Sequence, residues 1–373
     1  MPHTFSPRDE ELMRLALAEA QQALPLSPPN PAVGCVIADA EGQILGQGHT
    51  QLAGGPHAEV MALRAARTRR PDLAGCTAYV TLEPCSHHGR TPPCVNALIE
   101  HSIARVVAAV QDPNPLVAGR GLAMLREAGV QVELGLLGEQ ARELNIGFFS
   151  RMVRRRPWLR MKVAASLDGV TALDNGASQW ITSEAARTDG HRWRARAGAV
   201  LTGVGTVRED DPRLDVRLVP TQRQPIRVIV DSRLETPRQA HILAPPGEVL
   251  IYCASATRQD AAEFQALGAQ LIALPNQAGK VELAAMLKDL AQRGINELHV
   301  EAGHRLNGSL LREGLVDEFL IYLAPKLLGQ GRSMASFGPL HRLQDAVELE
   351  FLDVEHVGPD LRIVARPPGR ATF

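Results

Sequence analysis

Thr77-Ala78-Tyr79-Val80-Thr81-Leu82-Glu83-Pro84-Cys85 reads as a strand that ends on a proline-stiffened turn and a thiol. β-Branched, aromatic and apolar side chains suit Thr77 to Leu82 to a sheet, and Pro84 stops the ladder. Working back, His57 to Arg69 carries Val60, Met61, Leu63 and Ala66 at helical spacing, so His57 opens a helix and Glu59 lies in its first turn. Working forward, Cys94 to His101 reads as a helix, Arg105 to Val110 as a strand, Gly121 to Ala128 as a helix and Val130 to Leu134 as a strand. Upstream, Ser6-Pro7 with Asp9 and Glu10 starts a helix that Pro25, Pro28 and Pro29 stop. Ala32 to Ala38 and Gln43 to Gly48 read as a β-hairpin, and Ala141 to Met152 as a last helix. The alternation predicts an α/β fold, with chemistry beyond the carboxyl ends of the strands.

Three residues in these positions have the chemistry of a metal centre. His57, Cys85 and Cys94 supply one imidazole and two thiols, a set that suits zinc. Three protein ligands leave a fourth position for water, whose pKa falls toward about 7 on zinc. Glu59, two residues from the histidine, is placed to move protons as the catalytic acid and base. His-x-Glu with Pro-Cys is the recognised signature of zinc-dependent nucleobase deaminases. Here eight residues, not two, lie between the two cysteines, and Ser86, His87, His88 and Arg90 are among those in the enlarged loop. The same residues admit other readings: a closed structural zinc with His87 or His88 as fourth ligand, buried thiols without metal, and a surface carboxylate at Glu59. Asn30-Pro31 and Gln111-Asp112-Pro113-Asn114-Pro115 are rigid turns that present amides suited to a heteroaromatic edge, although turn chemistry alone accounts for them equally well.

Composition bounds the remainder. The chain has 373 residues, 45% hydrophobic and 22% charged, enough for two domains. A formal net charge of -1 argues against a general polyanion binder, so no nucleic-acid partner is expected. No apolar window reaches a membrane span, and Met1 to Pro7 lacks the basic head and apolar core of a secretory signal. Five cysteines (Cys35, Cys76, Cys85, Cys94 and Cys253) need not pair, and the expected compartment is the cytoplasm.

Arg151-Met152-Val153-Arg154-Arg155-Arg156 reads as a linker or the start of a second domain, giving 1–150 and 151–373. Strands are predicted at Leu159 to Ala165, Ala199 to Val204, Ile226 to Val230, Val249 to Cys253, Glu297 to Glu301 and Glu318 to Leu323. Helices fall at Ser183 to Ala195, Ala261 to Gly268, Val281 to Arg293 and Leu306 to Glu313. Ala346 to Ala365 holds two strand-like runs about Gly358-Pro359, expected antiparallel at a sheet edge. Ala164 to Gly169, Gly203-Val204-Gly205-Thr206 and Glu301-Ala302-Gly303 are strand ends that lead into small residues, which suits an extended, phosphate-bearing ligand. Arg208 stands where the dinucleotide fingerprint needs its third glycine, so that fingerprint is incomplete. Arg187, Arg192, Arg194, Arg196, Arg208, Arg213 and Arg217 are candidate phosphate anchors, most of them expected in solvent.

Residues 57–59 and 81–94, with Gln111 to Pro115, resemble the bifunctional deaminase/reductase family of riboflavin biosynthesis. Ala165 to Gly169, Ser178-Gln179-Trp180-Ile181-Thr182, Asp210-Asp211-Pro212 and Tyr322 to Lys326 extend the resemblance over nearly the whole chain. It implies a cytidine-deaminase-like three-layer α/β/α domain with zinc and a dihydrofolate-reductase-like domain with a mixed sheet and NADPH. The implied substrate is a small phosphorylated pyrimidine, 2,5-diamino-6-ribosylamino-4(3H)-pyrimidinone 5′-phosphate. It loses its 2-amino group, and its ribosyl group is then reduced to give 5-amino-6-ribitylamino-uracil 5′-phosphate. By motif position, Asn30, His49, His87, Gln111, Asp112 and Asn114 would contact the deaminase substrate. Ser178, Arg194, Leu214, Arg217 and Glu301 would line the reductase substrate site, while Ala164, Trp180, Thr206 and Asp210 face the cofactor. Lys162 or Asp210 would aid proton transfer or positioning, and a homodimer is implied. One departure is His304-Arg305, where similar proteins have proline and threonine. Arg305 is expected either beside a cofactor phosphate or in solvent.

Overall fold

The computed structural model describes residues 5–86, 92–115, 117–244 and 246–373. The chain divides into two units after Arg155, with Phe373 grouped in the first. Among the described residues no helix is long and apolar enough to cross a membrane.

The first unit opens with α1 (Pro7–Ala23), whose start follows the sequence reading. Asp9 N–H donates to Ser6 Oγ (3.1 Å) and Ser6 N–H to the Asp9 carboxylate (2.9 Å), a capping box. The expected hairpin is β1 (Gly34–Ala38) and β2 (Ile44–His49). Then come α2 (Ala58–Arg69), β3 (Thr77–Val80), α3 (Cys94–Glu100), β4 (Arg105–Ala108), α4 (Arg120–Glu127) and β5 (Gln131–Leu134). The sheet order is β2-β1-β3-β4-β5, with β1 antiparallel to both neighbours and the other pairings parallel.

Glycines show how the layers close. A Cβ on Gly34 would lie 1.9 Å from Ala16 O of α1, and one on Gly46 2.2 Å from Ala62 O of α2. Gly46 pairs with Ile37, three residues from Gly34, and so faces the opposite side of the pleat. Hence α1 and α2 cover opposite faces, a three-layer α/β/α sandwich. The predicted helix from Ala141 to Met152 is broken into α5 (Gly138–Leu144) and α6 (Ile146–Phe149), followed by a wider helical turn over Ser150–Arg154. The break falls at Asn145, whose side-chain amide both donates to Ala32 O and accepts from Ala32 N–H, each at 2.8 Å.

The second unit runs β6 (Trp158–Ser166), β7 (Val170–Leu173), α7 (Glu184–Arg196), β8 (Ala199–Gly203), α8 (Val204–Asp210), β9 (Ile226–Val230) and β10 (Val249–Cys253). It continues with α9 (Arg258–Ala266), β11 (Ala269–Ala273), α10 (Leu283–Gln292), β12 (Glu297–Val300), α11 (His304–Arg312) and β13 (Glu318–Ala324). Last come β14 (Gly331–Ser333), β15 (Glu350–Val357) and β16 (Asp360–Arg366). The main sheet has the order β11-β10-β9-β8-β12-β6-β13-β16-β15. It is parallel from β11 to β13, while β16 and β15 add antiparallel at one edge, where the sequence placed them. Apolar clusters around Met161, Leu298 and Met286, and around Ile229, Ile251 and Phe264, bury the sheet. Strands β7, β11 and β14 and helix α8 were not anticipated. They are three to seven residues long, too short to show a period.

Candidate active sites

Three elements deliver the metal donors. His57 is the N-cap of α2, Cys94 is the first residue of α3, and Cys85 lies beyond the end of β3. His57 Nδ1 stands 3.6 Å from Cys85 Sγ and 3.2 Å from Cys94 Sγ, and all three donor atoms lie within 4.8 Å of one another. Ligands at usual Zn–N and Zn–S lengths around a tetrahedral centre stand about 3.6 Å apart, so the trio fits zinc. Cys94 N–H donates to Cys85 Sγ at 3.3 Å. Hydrogen bonds from Cys94 and His57 hold the Cys85 thiol down to about 4, while sharing with Cys85 and burial push Cys94 up. Glu59 is buried in the first turn of α2. Burial, then the Cys85 charge, push its carboxyl up to about 7. A carboxyl poised there exchanges protons readily near neutral pH.

Strand register gathers the other expected contacts at the same end of the sheet. Gly34 pairs with His49, Cys35 with Val80, and Val80 with Ala108. Asn30, His49, Cys85 and Gln111 therefore all emerge at that end. His49 Nδ1 lies 2.8 Å from Glu19 Oε2, which orients the ring. Asp112 is buried, and its carboxyl is pushed up to about 7 by burial and by the Glu83 and Cys85 charges. Its Oδ1 accepts Asn114 N–H at 2.7 Å. His87 and His88 lie outside the described residues.

The second unit has its own polar cluster around Glu301 at the carboxyl end of β12, with Lys162 from the middle of β6 and Arg194 from α7. Glu301, just beyond β12, accepts from Arg194 Nε and from Arg194 Nη2 (2.9 Å). Lys162 Nζ stands 3.6 Å from Glu301 Oε2, and His299 Nε2 3.4 Å from Oε1. The Arg194 and Lys162 charges, with hydrogen bonds from Arg194 and His299, hold the Glu301 carboxyl well below the usual range despite burial. Arg194 also donates to Asp215 O (3.0 Å), and Arg217 N–H donates to His191 Nδ1 (3.1 Å). Leu214 is buried with φ 51°. Ser178 Oγ donates to Asp210 Oδ1 at 3.2 Å, and burial raises the Asp210 carboxyl. Trp180 is 61% exposed with Arg187 4.5 Å from its ring centre, leaving apolar ring surface in solvent. Ala164 lies on β6, opposite Tyr322 of β13. A Cβ on Gly205 would meet nothing within 4 Å, and one on Gly303 only Thr206 Oγ1, at 3.6 Å. This bare backbone at the start of α8 and α11 suits a dinucleotide diphosphate such as that of NADPH. Arg305 is exposed in the first turn of α11.

Two family models match these units. "Cytidine and deoxycytidylate deaminase zinc-binding region" covers residues 6–110, and "RibD C-terminal domain" covers residues 157–363. The chain belongs to the RibD family. The "Riboflavin biosynthesis protein RibD" of Escherichia coli (strain K12) is 46% identical over 367 residues, covering 95% of this chain and 98% of that protein. Its namesake in Aquifex aeolicus (strain VF5) is 42% identical, covering 95% and 97%. Among solved structures, Acinetobacter baumannii RibD superposes with TM-score 0.88 at 41% identity, over 96% of this chain and 99% of that one. A Thermotoga maritima "diaminohydroxyphosphoribosylaminopyrimidine deaminase/ 5-amino-6-(5-phosphoribosylamino)uracil reductase" superposes with TM-score 0.86 at 32% identity, over 96% and 99%. The RibD architecture, a deaminase-like unit followed by a mixed-sheet reductase-like unit, is thus the architecture of this chain. Glu19, His191 and His299 were missed as parts of these clusters. Glu19 and His191 gain their roles from partners distant in sequence, His49 and the Arg217 N–H, and His299 from Glu301 two residues on, once burial brings them together.

Proposed function

We propose that this RibD family member performs two consecutive steps of riboflavin biosynthesis in the cytoplasm, as a homodimer. The first unit, expected as residues 1–150, deaminates 2,5-diamino-6-ribosylamino-4(3H)-pyrimidinone 5′-phosphate. The second, expected as 151–373, reduces the ribosyl group with NADPH to give 5-amino-6-ribitylamino-uracil 5′-phosphate. The observation that carries the reading is the convergence of His57, Cys85 and Cys94 beside a buried carboxyl at about 7. His57 Nδ1 and the two Sγ atoms would hold zinc, which supplies the positive charge that acidifies water near neutral pH. As a water oxygen adds to the ring carbon, Glu59 would take one water proton and give it to the ring nitrogen. It would then take the second proton from the added hydroxyl and give it to the amino group, so that the C–N bond breaks, ammonia leaves and a carbonyl remains. The turns at Asn30 and at Gln111, Asp112 and Asn114, with His49 and His87, orient the pyrimidine and its ribosyl phosphate.

In the second unit NADPH supplies the hydride when bound. Ala164, Trp180, Thr206 and Asp210 position the cofactor. Ser178, Arg194, Leu214, Arg217 and Glu301 position the sugar chain, and Lys162 or Asp210 holds the proton that completes reduction. Glu59→Gln is expected to keep one zinc per chain while ammonia release falls at least a hundredfold, measured by metal analysis and an ammonia assay. NADPH oxidation on the deaminated ribosyl substrate should persist in this variant. Undiminished ammonia release from Glu59→Gln would remove the proton shuttle.

A further inference from the structure

Glu83 has no part in holding metal in this reading, yet its carboxylate is among the most heavily bonded groups of the first unit. It is 3% exposed, and among the described residues no cation pairs with it. Four backbone N–H groups point at it instead. Asp112 (3.2 Å) and Gly119 (2.9 Å) donate to Oε2, and Gly121 (2.9 Å) and Leu122 (3.3 Å) donate to Oε1. Charge-assisted bonds of this kind offset the cost of burying an anion.

The donors define what the carboxylate organises. Gly121 and Leu122 lie in the first turn of α4, whose own N-cap, Gly119, has no side chain to offer. Glu83 therefore caps a helix that begins 37 residues later in the chain. Gly121 permits the approach, since a Cβ there would fall 2.1 Å from Pro84 O. Asp112 lies within, and Gly119 just beyond, the loop that carries Gln111, Asp112 and Asn114, the amides and carboxyl expected against the pyrimidine. The staple thus joins this loop to the turn two residues before Cys85.

We infer that Glu83 is a positioning residue of the deaminase: it sets the distance between the substrate-reading 111–114 turn and the metal trio, and so governs pyrimidine binding. This rests on the deaminase reading above, but the staple is also measurable alone. In the full-length, zinc-loaded protein, Glu83→Gln turns an NH2 group toward donors that need an acceptor. Hydrogen–deuterium exchange at Asp112, Gly119, Gly121 and Leu122 should quicken at least tenfold, with one zinc retained per chain. KM for the diaminopyrimidine should rise at least tenfold while kcat changes less than threefold, and the NADPH-dependent step should be unaffected. Gly119→Ala, which keeps the N–H donated to Glu83 but strains a φ of 87° and brings a Cβ to 3.1 Å from Gln111 Nε2, should raise KM in the same direction by two- to threefold. Unchanged exchange in Glu83→Gln overturns the proposal, as does an unchanged KM in both variants or an activity loss that tracks zinc content alone. A wild type that releases no ammonia refutes the deaminase reading instead, and the exchange arm still decides whether the staple exists.

Discussion

His191 shows how a side chain with no evident role in the sequence acquires one by its neighbours. It is 4% exposed, accepts the Arg217 N–H on Nδ1, and lies against Arg194. Burial, then the Arg194 and Arg217 charges, press its pKa down to about 4 from 6.5. The unfolded chain therefore binds more protons than the folded one between these values. This contribution to stability is complete above about pH 6.5 and is lost as pH falls toward 4. Between pH 7 and pH 5 the loss should be about 2 kcal/mol. Asparagine keeps an acceptor near the Nδ1 position and cannot be protonated. Urea unfolding of the second unit at the two pH values should show wild type losing about 2 kcal/mol more than His191→Asn. Equal losses would mean that His191 titrates normally. The arginines nearby tell the same story: Arg196 pairs with Glu297, Arg208 with Glu235, and Arg213 and Arg217 with Asp215. Candidate anchors in the sequence, they are largely engaged by carboxylates in the fold.

At the scale of elements, the deaminase centre depends on how closely α2 lies on β2. Gly46 and Gly48 face α2, with Cβ positions 2.2 Å from Ala62 O and 2.5 Å from Met61 Cβ. That close seat carries His57 and Glu59 at the start of α2 to the strand end that supplies Cys85. Gly46→Ala should push the helix outward, costing about 1–3 kcal/mol as overpacking does, and weaken zinc binding. Urea denaturation and a zinc titration check both effects. Unaltered stability and affinity would show that α2 has room to spare. In the second unit Asp317, fully buried, receives Arg156, Arg370 and the Leu159 N–H, and fixes the start of β6.

For the whole molecule, the edge strand β15 exposes apolar side chains at one end of the reductase-like sheet. Phe351 is 70% and Val354 52% exposed, and among the described residues β15 pairs with β16 on one side only. An unpaired, apolar edge is a template for association, and it supports the proposed homodimer. Phe351→Glu with Val354→Lys should convert dimer to monomer in sedimentation velocity, leaving NADPH binding intact. A double variant that remains dimeric would place the interface elsewhere.

Periodicity and motif spacing determined most of what is local. The start of α1, the helix after His57, the strand before Glu83 and the edge hairpin all depend on neighbouring residues, whose preferences act over one or two turns. The metal donors were legible too, because few residue types bind zinc. Only the tertiary structure decided that Asn145 breaks a helix, that Glu83 caps α4, and that Glu301 draws together Lys162, Arg194 and His299. Each of these arises when backbone or charge distant in sequence is brought close and shielded from water. A linear pattern records side-chain types and spacing, but not the burial that turns them into partners.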